Sequence, residues 1–423
     1  MLIEFSVENF LSFDERVTLS LVAAPELDAT DGLTENTFEG PGGLRLVKSA
    51  LLFGANGSGK SNFVKAMIFA ARFIVGSAKD TQAGEKIAVK PFGFHSRGSE
   101  KGSTFETVWA DGERVYRYSF SANTTRVISE RLSRIHAGDD APLVLFHRDE
   151  AGIHVADEFA EGNGLAARTR ANALFLSVVA QLNGEEAERI LTWFREKLFI
   201  GSGLHDDTLM SITLASLRDG SLTEEIVRLA READLGITGL STSNITAEQL
   251  PAGLSKMERQ KILSGDHGTI RVRHRTFADD GRPAGEVDFD INDESQGTQK
   301  LIALAAPLLM TLRGGVTSVL DEFDARLHPR LTQAIVALFQ GDANSNNAQL
   351  VVATHDTNLL DRRLVRRDQV WFFEKDRRGA TKLYSLAEFD DVPQRAQYER
   401  DYLLGKFGAV PSIGALVSPE TAE

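Results

Sequence analysis

The chain contains no cysteine, and this absence excludes several kinds of chemistry at once. Without a thiol there can be no disulfide framework, no Cys-ligated zinc, no iron–sulfur cluster and no thiol catalysis. Chains without disulfides are typical of reducing compartments, so we expect a cytoplasmic protein.

Long apolar runs and an export signal are also missing from the sequence. The longest apolar stretch, residues 301–310, is well short of the roughly 20 residues that a membrane-spanning helix needs. Near the amino end, Glu4 and Glu8 stand where a secretory signal has a basic start and an unbroken apolar run. We therefore expect neither membrane insertion nor secretion.

Basic residues are in the minority. The 423 residues carry 47 Lys and Arg against 60 Asp and Glu, a formal net charge of -13. This balance argues against nucleic-acid binding over the whole surface and leaves room for a local basic groove, for which the arginines at 271–275 and 362–367 are candidates. Solvated surface charge is the simpler interpretation of both clusters.

The strongest motif is a glycine-rich loop between a predicted strand, residues 50–53, and a predicted helix, residues 62–75. It has the pattern G-x-x-x-x-G-K-[ST], in which backbone N–H groups and a helix N-terminus surround phosphates. Lys60 would reach the β- and γ-phosphates of ATP, and Ser61 would bind Mg²⁺. The predicted nucleotide contacts are Gly54, Asn56, Gly57, Ser58, Gly59, Lys60, Ser61 and Asn62.

Two adjacent carboxylates end another apolar strand, residues 316–320. Asp321 is predicted to hold the Mg²⁺ shell together with Ser61, and Glu322 to polarise the attacking water as a general base. This pair stands far beyond the glycine-rich loop in the chain. Such a gap suits ATPases in which a large insertion separates two lobes of one nucleotide-binding fold.

Two further elements are candidate parts of the same nucleotide site. Ser295 and Gly297 open an apolar helix, where they make either an anion site or a plain helix cap. His355 follows the apolar strand 349–353. A lone histidine at a strand end is often structural, but its position after Asp321 and Glu322 favours a role in the same site.

These residues resemble ATP-binding proteins of the RecF/SMC/overcoming-lysogenization-defect branch, and within it abortive-infection ATPases of the AbiLi or RloA type. The resemblance is carried by residues 3–13, the glycine-rich loop and, most strongly, 294–411, where ESQGTQKL, VLDEFDARLHP and QLVVATHDTNLL follow one another. It implies an α/β fold of the ABC-type P-loop NTPase kind, with an N-terminal antiparallel β subdomain and a largely helical insertion.

The resemblance also implies how the active site is completed. In such ATPases two subunits enclose ATP head to tail, so Ser295 and Gly297 of one subunit would bind the γ-phosphate held by Lys60 and His355 of the other. Residues 324–329 would cross the interface of this homodimer. We predict an N-terminal lobe at 1–160, a mainly helical partner or sensor insertion at 161–290, and a C-terminal lobe at 291–423.

The implied role is ATP-driven control of bacterial anti-phage defence, together with a separately encoded effector. No Asp-x-Asp metal pair follows His355 in this chain, so we do not expect nuclease activity here. If a nuclease acts, we expect it to be the separate effector. The alternative is a RecF-like protein that binds DNA in repair or maintenance, without the long coiled-coil arms of SMC proteins. A transporter subunit is disfavoured by the long insertion and the atypical Ser295 element.

Overall fold

The computed structural model describes residues 1–94, 101–136, 141–204, 206–233, 236–244, 253, 255–257, 268–390, 392–393 and 396–411. The strands within these ranges are β1 (Leu2–Glu8), β2 (Val17–Ser20), β3 (Thr37–Glu39), β4 (Arg45–Val47), β5 (Ser49–Gly54), β6 (Ser103–Asp111), β7 (Arg114–Ala122), β8 (Val127–His136), β9 (Leu143–Asp149), β10 (Gly152–Val155), β11 (Leu198–Ser202), β12 (Ile237–Asn244), β13 (Gly268–Phe277), β14 (Pro283–Asp290), β15 (Thr317–Asp321), β16 (Gln349–Ala353), β17 (Val370–Lys375) and β18 (Thr381–Ser385). The α-helices are α1 (Leu27–Thr30), α2 (Lys60–Gly76), α3 (Phe175–Gln181), α4 (Glu185–Glu196), α5 (Asp206–Arg218), α6 (Thr223–Glu232), α7 (Gln296–Gly314), α8 (Pro329–Gln340) and α9 (Tyr398–Leu403).

A six-stranded sheet in the order β11-β15-β16-β5-β17-β18 forms the centre of the fold. Its neighbouring strands are parallel, except that β18 runs antiparallel to β17. Along β5, Ala50 and Leu52 pack into one core with α2, whereas Leu51 and Phe53 pack into another with α7 and α8. Successive side chains of a strand point to opposite faces, so a strand buried on both sides reads as an apolar run. The predicted α/β fold is confirmed.

A seven-stranded antiparallel sheet in the order β10-β9-β8-β7-β6-β1-β2 packs against the other side of α2. Phe5 of β1 meets Phe63 of α2 edge to face, with ring centroids 5.4 Å apart. Strands β1 and β2 form an antiparallel pair, and β6 and β7 form a hairpin. The hairpin turns at Gly112 and Glu113, because Asp111 still pairs with Arg114. The N-terminal antiparallel subdomain is therefore confirmed.

The region 161–290 contributes to more than one layer. Helices α3 and α4 pack into the core beneath the seven-stranded sheet, and β11 joins the central sheet parallel to β15. Helices α5 and α6 and strands β12 and β13 share a separate core with one face of α7, and β14 pairs with β13 at the edge of this small sheet. Within the described ranges, none of the helices has the length and apolar character that a membrane span requires. The assignment of this region as a partner or sensor unit stays a prediction.

Of the four arginines at 362–367, Arg362 and Arg363 are exposed, as the interpretation as solvated surface charge expects, whereas Arg366 and Arg367 differ from it. Arg366 is fully buried, and its guanidinium donates to Asp28 at 2.6 Å and to Asp368 at 2.8 Å. Arg367 pairs with Asp31 at 3.1 Å. Burial of a charge is tolerated when opposite charges and hydrogen bonds surround it. These two arginines therefore hold the segment around α1 against the segment that precedes β17.

Replacing Arg366 by alanine should strongly destabilise the protein. Asp368, whose side chain is 6% exposed, would then be buried without its cation, a change that typically costs about 3–5 kcal/mol. Arg363, 83% exposed and paired with Asp361, is the matched control, and Arg363→Ala should leave stability unchanged. Urea unfolding of the three proteins tests this; equal midpoints would contradict it.

Candidate active site

The carboxyl ends of three central strands meet at one edge of the six-stranded sheet. Strand β16 lies between β15 and β5, in parallel register with both. The segments that follow these strands therefore converge on one cavity of about 510 Å³. Its lining residues are Ala55, Asn56, Gly57, Ser58, Gly59, Lys60, Ser61, Asn62, Asp321, Glu322, Ala353, His355 and Lys375.

The glycine-rich loop requires glycine at two positions for steric reasons. Gly54 has φ +154° and Gly59 has φ +118°, values that other residues rarely adopt. A Cβ at Gly54 would collide with the carbonyl oxygen of Phe373, and one at Gly59 with the side chain of Thr381. These close approaches let the loop curl tightly between β5 and α2, as the motif predicts.

Polar groups of this loop fit a phosphate chain. The buried hydroxyl of Ser58 has no hydrogen-bond partner within the described part of the protein. Lys60 Nζ donates to the carbonyl oxygens of Gly54 at 2.6 Å and Ala55 at 3.4 Å. Because α2 begins at Lys60, its first N–H groups also face the loop. The loop thus offers an ammonium, a hydroxyl and a helix N-terminus to an anion.

The protonation of Lys60 depends on its surroundings. Burial lowers the pKa of this ammonium to about 8, although the nearby carboxylates of Asp321, Asp324 and Glu322 act to raise it. The desolvation cost of the charged form therefore outweighs three opposite charges. An anion bound in direct contact with Nζ would favour the protonated form.

A serine and an aspartate from distant parts of the chain form a pair of oxygen ligands. Ser61 Oγ donates to Asp321 Oδ1 at 3.2 Å. Hydroxyl and carboxylate oxygens are the donors that Mg²⁺ prefers, usually alongside water and phosphate oxygens. The two residues that we predict to bind Mg²⁺ are thus close together in space and chemically suited to this ion.

Glu322 and His355 lie beside this pair, on the same cavity. Glu322 has φ +49°, which is uncommon for a residue other than glycine and turns the chain sharply after β15. The backbone N–H of His355 donates to the carboxylate of Asp324 at 3.2 Å. Loss of hydration and the charge of Lys60 lower the pKa of the His355 imidazole, so the neutral ring predominates at pH 7.

Ser295 and Gly297 are not among the residues that line this cavity. Ser295 caps α7, its Oγ accepting a hydrogen bond from the Thr298 N–H at 3.1 Å. Gly297 lies against the carbonyl oxygen of Arg326, which would be 3.1 Å from an added Cβ. One chain therefore brings together the glycine-rich loop, Asp321, Glu322 and His355, and leaves the Ser295 element outside.

Two residues beneath the loop were not recognised from the sequence. Thr381 Oγ1 lies 2.8 Å from both Ser12 Oγ and the carbonyl oxygen of Ser58, and Asn62 Nδ2 donates to Ser12 Oγ at 2.9 Å. Ser12 and Thr381 are near opposite ends of the sequence, and no motif spacing connects them. They support the loop from β18 and from the segment after β1.

Comparison with known proteins adds two findings and one absence. No curated protein sequence matches this chain. Among solved structures, an SMC head domain from Thermotoga maritima is 15% identical, with a TM-score of 0.41 over 91% of this chain and 98% of that chain. A Pyrococcus furiosus Smc head domain bound to the C-terminal domain of ScpA is 13% identical, with a TM-score of 0.39 over 96% and 98%. These scores mark a limited likeness of shape.

The family comparison covers most of the chain. Residues 49–361 match the family described as "AAA domain, putative AbiEii toxin, Type IV TA system". The match extends from the strand before the glycine-rich loop to just beyond His355. The chain therefore belongs to this AAA-domain family and is an ATPase of the AAA type.

Proposed function

We propose that the protein hydrolyses ATP at sites shared by two subunits and uses this cycle to control a separate effector in anti-phage defence. One observation carries the proposal. The cavity of a single chain is lined by Lys60, Asp321, Glu322 and His355, whereas the N-terminal end of α7, capped by Ser295, lies outside it. A second copy arranged head to tail would supply that end to the phosphates.

The residues of one subunit divide the work of hydrolysis. Lys60 and the loop N–H groups bind and orient the phosphates, and Ser61 and Asp321 would hold Mg²⁺, which neutralises developing phosphate charge when bound. Glu322 is placed to take a proton from the attacking water. The neutral ring of His355 can hydrogen-bond to the terminal phosphate and report its presence.

The segment 324–329 supports coupling between the two subunits. Asp324 accepts a hydrogen bond from the His355 backbone, and Arg326 lies against Gly297. The segment therefore contacts both the histidine of its own site and the α7 end that would face the partner's site. A change at either one can reach the other through this short contact.

A protein effector is better supported than DNA as the partner. The family description names an AbiEii toxin and a toxin–antitoxin system, which agrees with the abortive-infection role that the AbiLi and RloA resemblance implies. Two of the three arginines on β13 are paired with carboxylates, Arg271 with Asp290 at 3.5 Å and Arg273 with Asp288 at 2.7 Å. Region 161–290, with its own small sheet, is the proposed docking unit.

Glu322→Gln should abolish turnover while keeping ATP bound. Loss of a general base lowers rates by roughly 10²–10⁴-fold, and the neutral amide should let an ATP-bound dimer accumulate. Phosphate release and light-scattering mass with ATP and Mg²⁺ measure both effects. Glu113→Gln, at the exposed β6–β7 turn, is the control and should behave as wild type. Unchanged turnover in Glu322→Gln would refute its assigned role.

Mixing two inactive variants should restore activity if the site is shared. Lys60→Ala removes the phosphate contact, and Ser295→Asp keeps the helix cap but repels the partner's γ-phosphate. In mixed dimers one site combines the two intact halves, so an equal mixture should recover about one quarter of wild-type turnover for independent sites in a two-fold dimer. Ser295→Asn is the neutral control for the cap. A mixture with no recovered turnover would place the site within one chain.

ATP binding should take up protons near pH 8. Free Lys60 has a pKa of about 8, and contact with a triphosphate raises it, so up to about half a proton per site is taken up at pH 8 and affinity weakens as the pH rises further. Calorimetry in buffers of different ionisation enthalpy, in the Glu322→Gln background, measures this uptake. Lys60→Arg, protonated throughout, should lose that component. An identical proton count in both proteins would contradict the assignment to Lys60.

A further inference from the structure

A histidine–aspartate cluster lies on the β9–β10 hairpin, at the edge of the seven-stranded sheet and away from the nucleotide cavity. His147 of β9 is directly across from His154 of β10, and their rings stack with centroids 4.7 Å apart and planes 19° apart. Asp149 follows two residues after His147 and so shares its face of the strand. One ligand atom from each residue lies within 4.8 Å of the other two.

The carboxylate of Asp149 faces both imidazoles. Its Oδ2 is 3.8 Å from His147 Nε2, and its Oδ1 is 3.7 Å from His154 Nε2. The Asp149 Oδ1 atom also accepts hydrogen bonds from the backbone N–H groups of Ala151 at 2.9 Å and Gly152 at 3.2 Å. These two bonds orient the carboxylate, as outer hydrogen bonds orient the ligands of metal sites.

We propose that His147, Asp149 and His154 bind a divalent transition-metal ion of the zinc class. Ligands about 2.0–2.1 Å from a tetrahedral zinc ion lie roughly 3.3–3.4 Å from one another. The two distances to the carboxylate are a few tenths of an ångström longer, and the stacked imidazoles would turn about their side-chain torsions so that both Nε2 lone pairs point at the ion. Imidazole nitrogens favour zinc, copper and nickel over Mg²⁺ and Ca²⁺.

The surroundings of the cluster determine how tightly it would bind an ion and which strands the ion would join. The three side chains are 44–51% exposed, so a further coordination position is open to water. Arg131 of β8 pairs in register with His147, and its positive charge opposes the ion, so we expect the ion to bind less tightly than it would without this arginine. Strand β10 is the last strand of its sheet, and the ion would cross-link it to β9.

Zinc titration of the chelator-treated, nucleotide-free chain tests the proposal, in excess Mg²⁺ to occupy oxygen sites. Calorimetry should find one Zn²⁺ bound per chain, and Co²⁺ in its place should give the visible absorption of a tetrahedral site. His154→Gln and Asp149→Asn should weaken binding by at least about ten-fold. Asparagine retains an oxygen for the turn hydrogen bonds, so the hairpin should persist.

The control is His136→Gln, which removes an imidazole from β8 outside the cluster and should bind Zn²⁺ as wild type does. Far-ultraviolet circular dichroism of all variants establishes that they are folded. The proposal is overturned if His154→Gln and Asp149→Asn bind Zn²⁺ as tightly as wild type, or if the wild-type chain binds none under these conditions.

Discussion

The parallel placement of β5, β16 and β15 brings Ser61 and Asp321 into contact. The rest of the site depends on the same placement of these strands. The two residues are 260 positions apart, yet their side chains lie 3.2 Å from each other. Each of the three strands is buried on both faces, so apolar packing fixes their order and register. A slip of one residue would turn core side chains toward the wrong layer and separate the hydroxyl from the carboxylate.

Local patterns in the sequence were enough to identify the central elements. Each of three elements can be recognised within about ten residues, because apolar runs and polar ends are local features. These elements are the glycine-rich loop, the strand ending at Asp321 and the strand before His355. Their convergence follows from the rule that parallel strands share a carboxyl edge. The support of the loop by Ser12 and Thr381 is a matter of long-range packing, and no local pattern encodes it.

The same limit explains the arginine cluster and the middle region. Arg366, like its exposed neighbour Arg363, pairs with an aspartate two residues away, and only the long-range contacts with Asp28 and the carbonyl oxygen of Ala24 distinguish it. Strand β11 was not predicted from the sequence, because its five residues give little periodic signal to distinguish them from the neighbouring helices. Its place beside β15 means that the region 161–290 cannot move as a whole independently of the central sheet.

That attachment gives the α7 end a rigid connection to the carboxylates. Lys300, fully buried in the first turns of α7, donates to the carbonyl oxygen of Gly203, and the Gly203 N–H donates to the Asp321 carbonyl at 2.6 Å. A buried lysine held by a backbone oxygen resists displacement, because leaving it would cost an unsatisfied charge. In the dimer that we propose, movement of α7 on engaging the partner's nucleotide would therefore be transmitted through β11 to the strand end that carries Asp321 and Glu322, and the two sites would respond together.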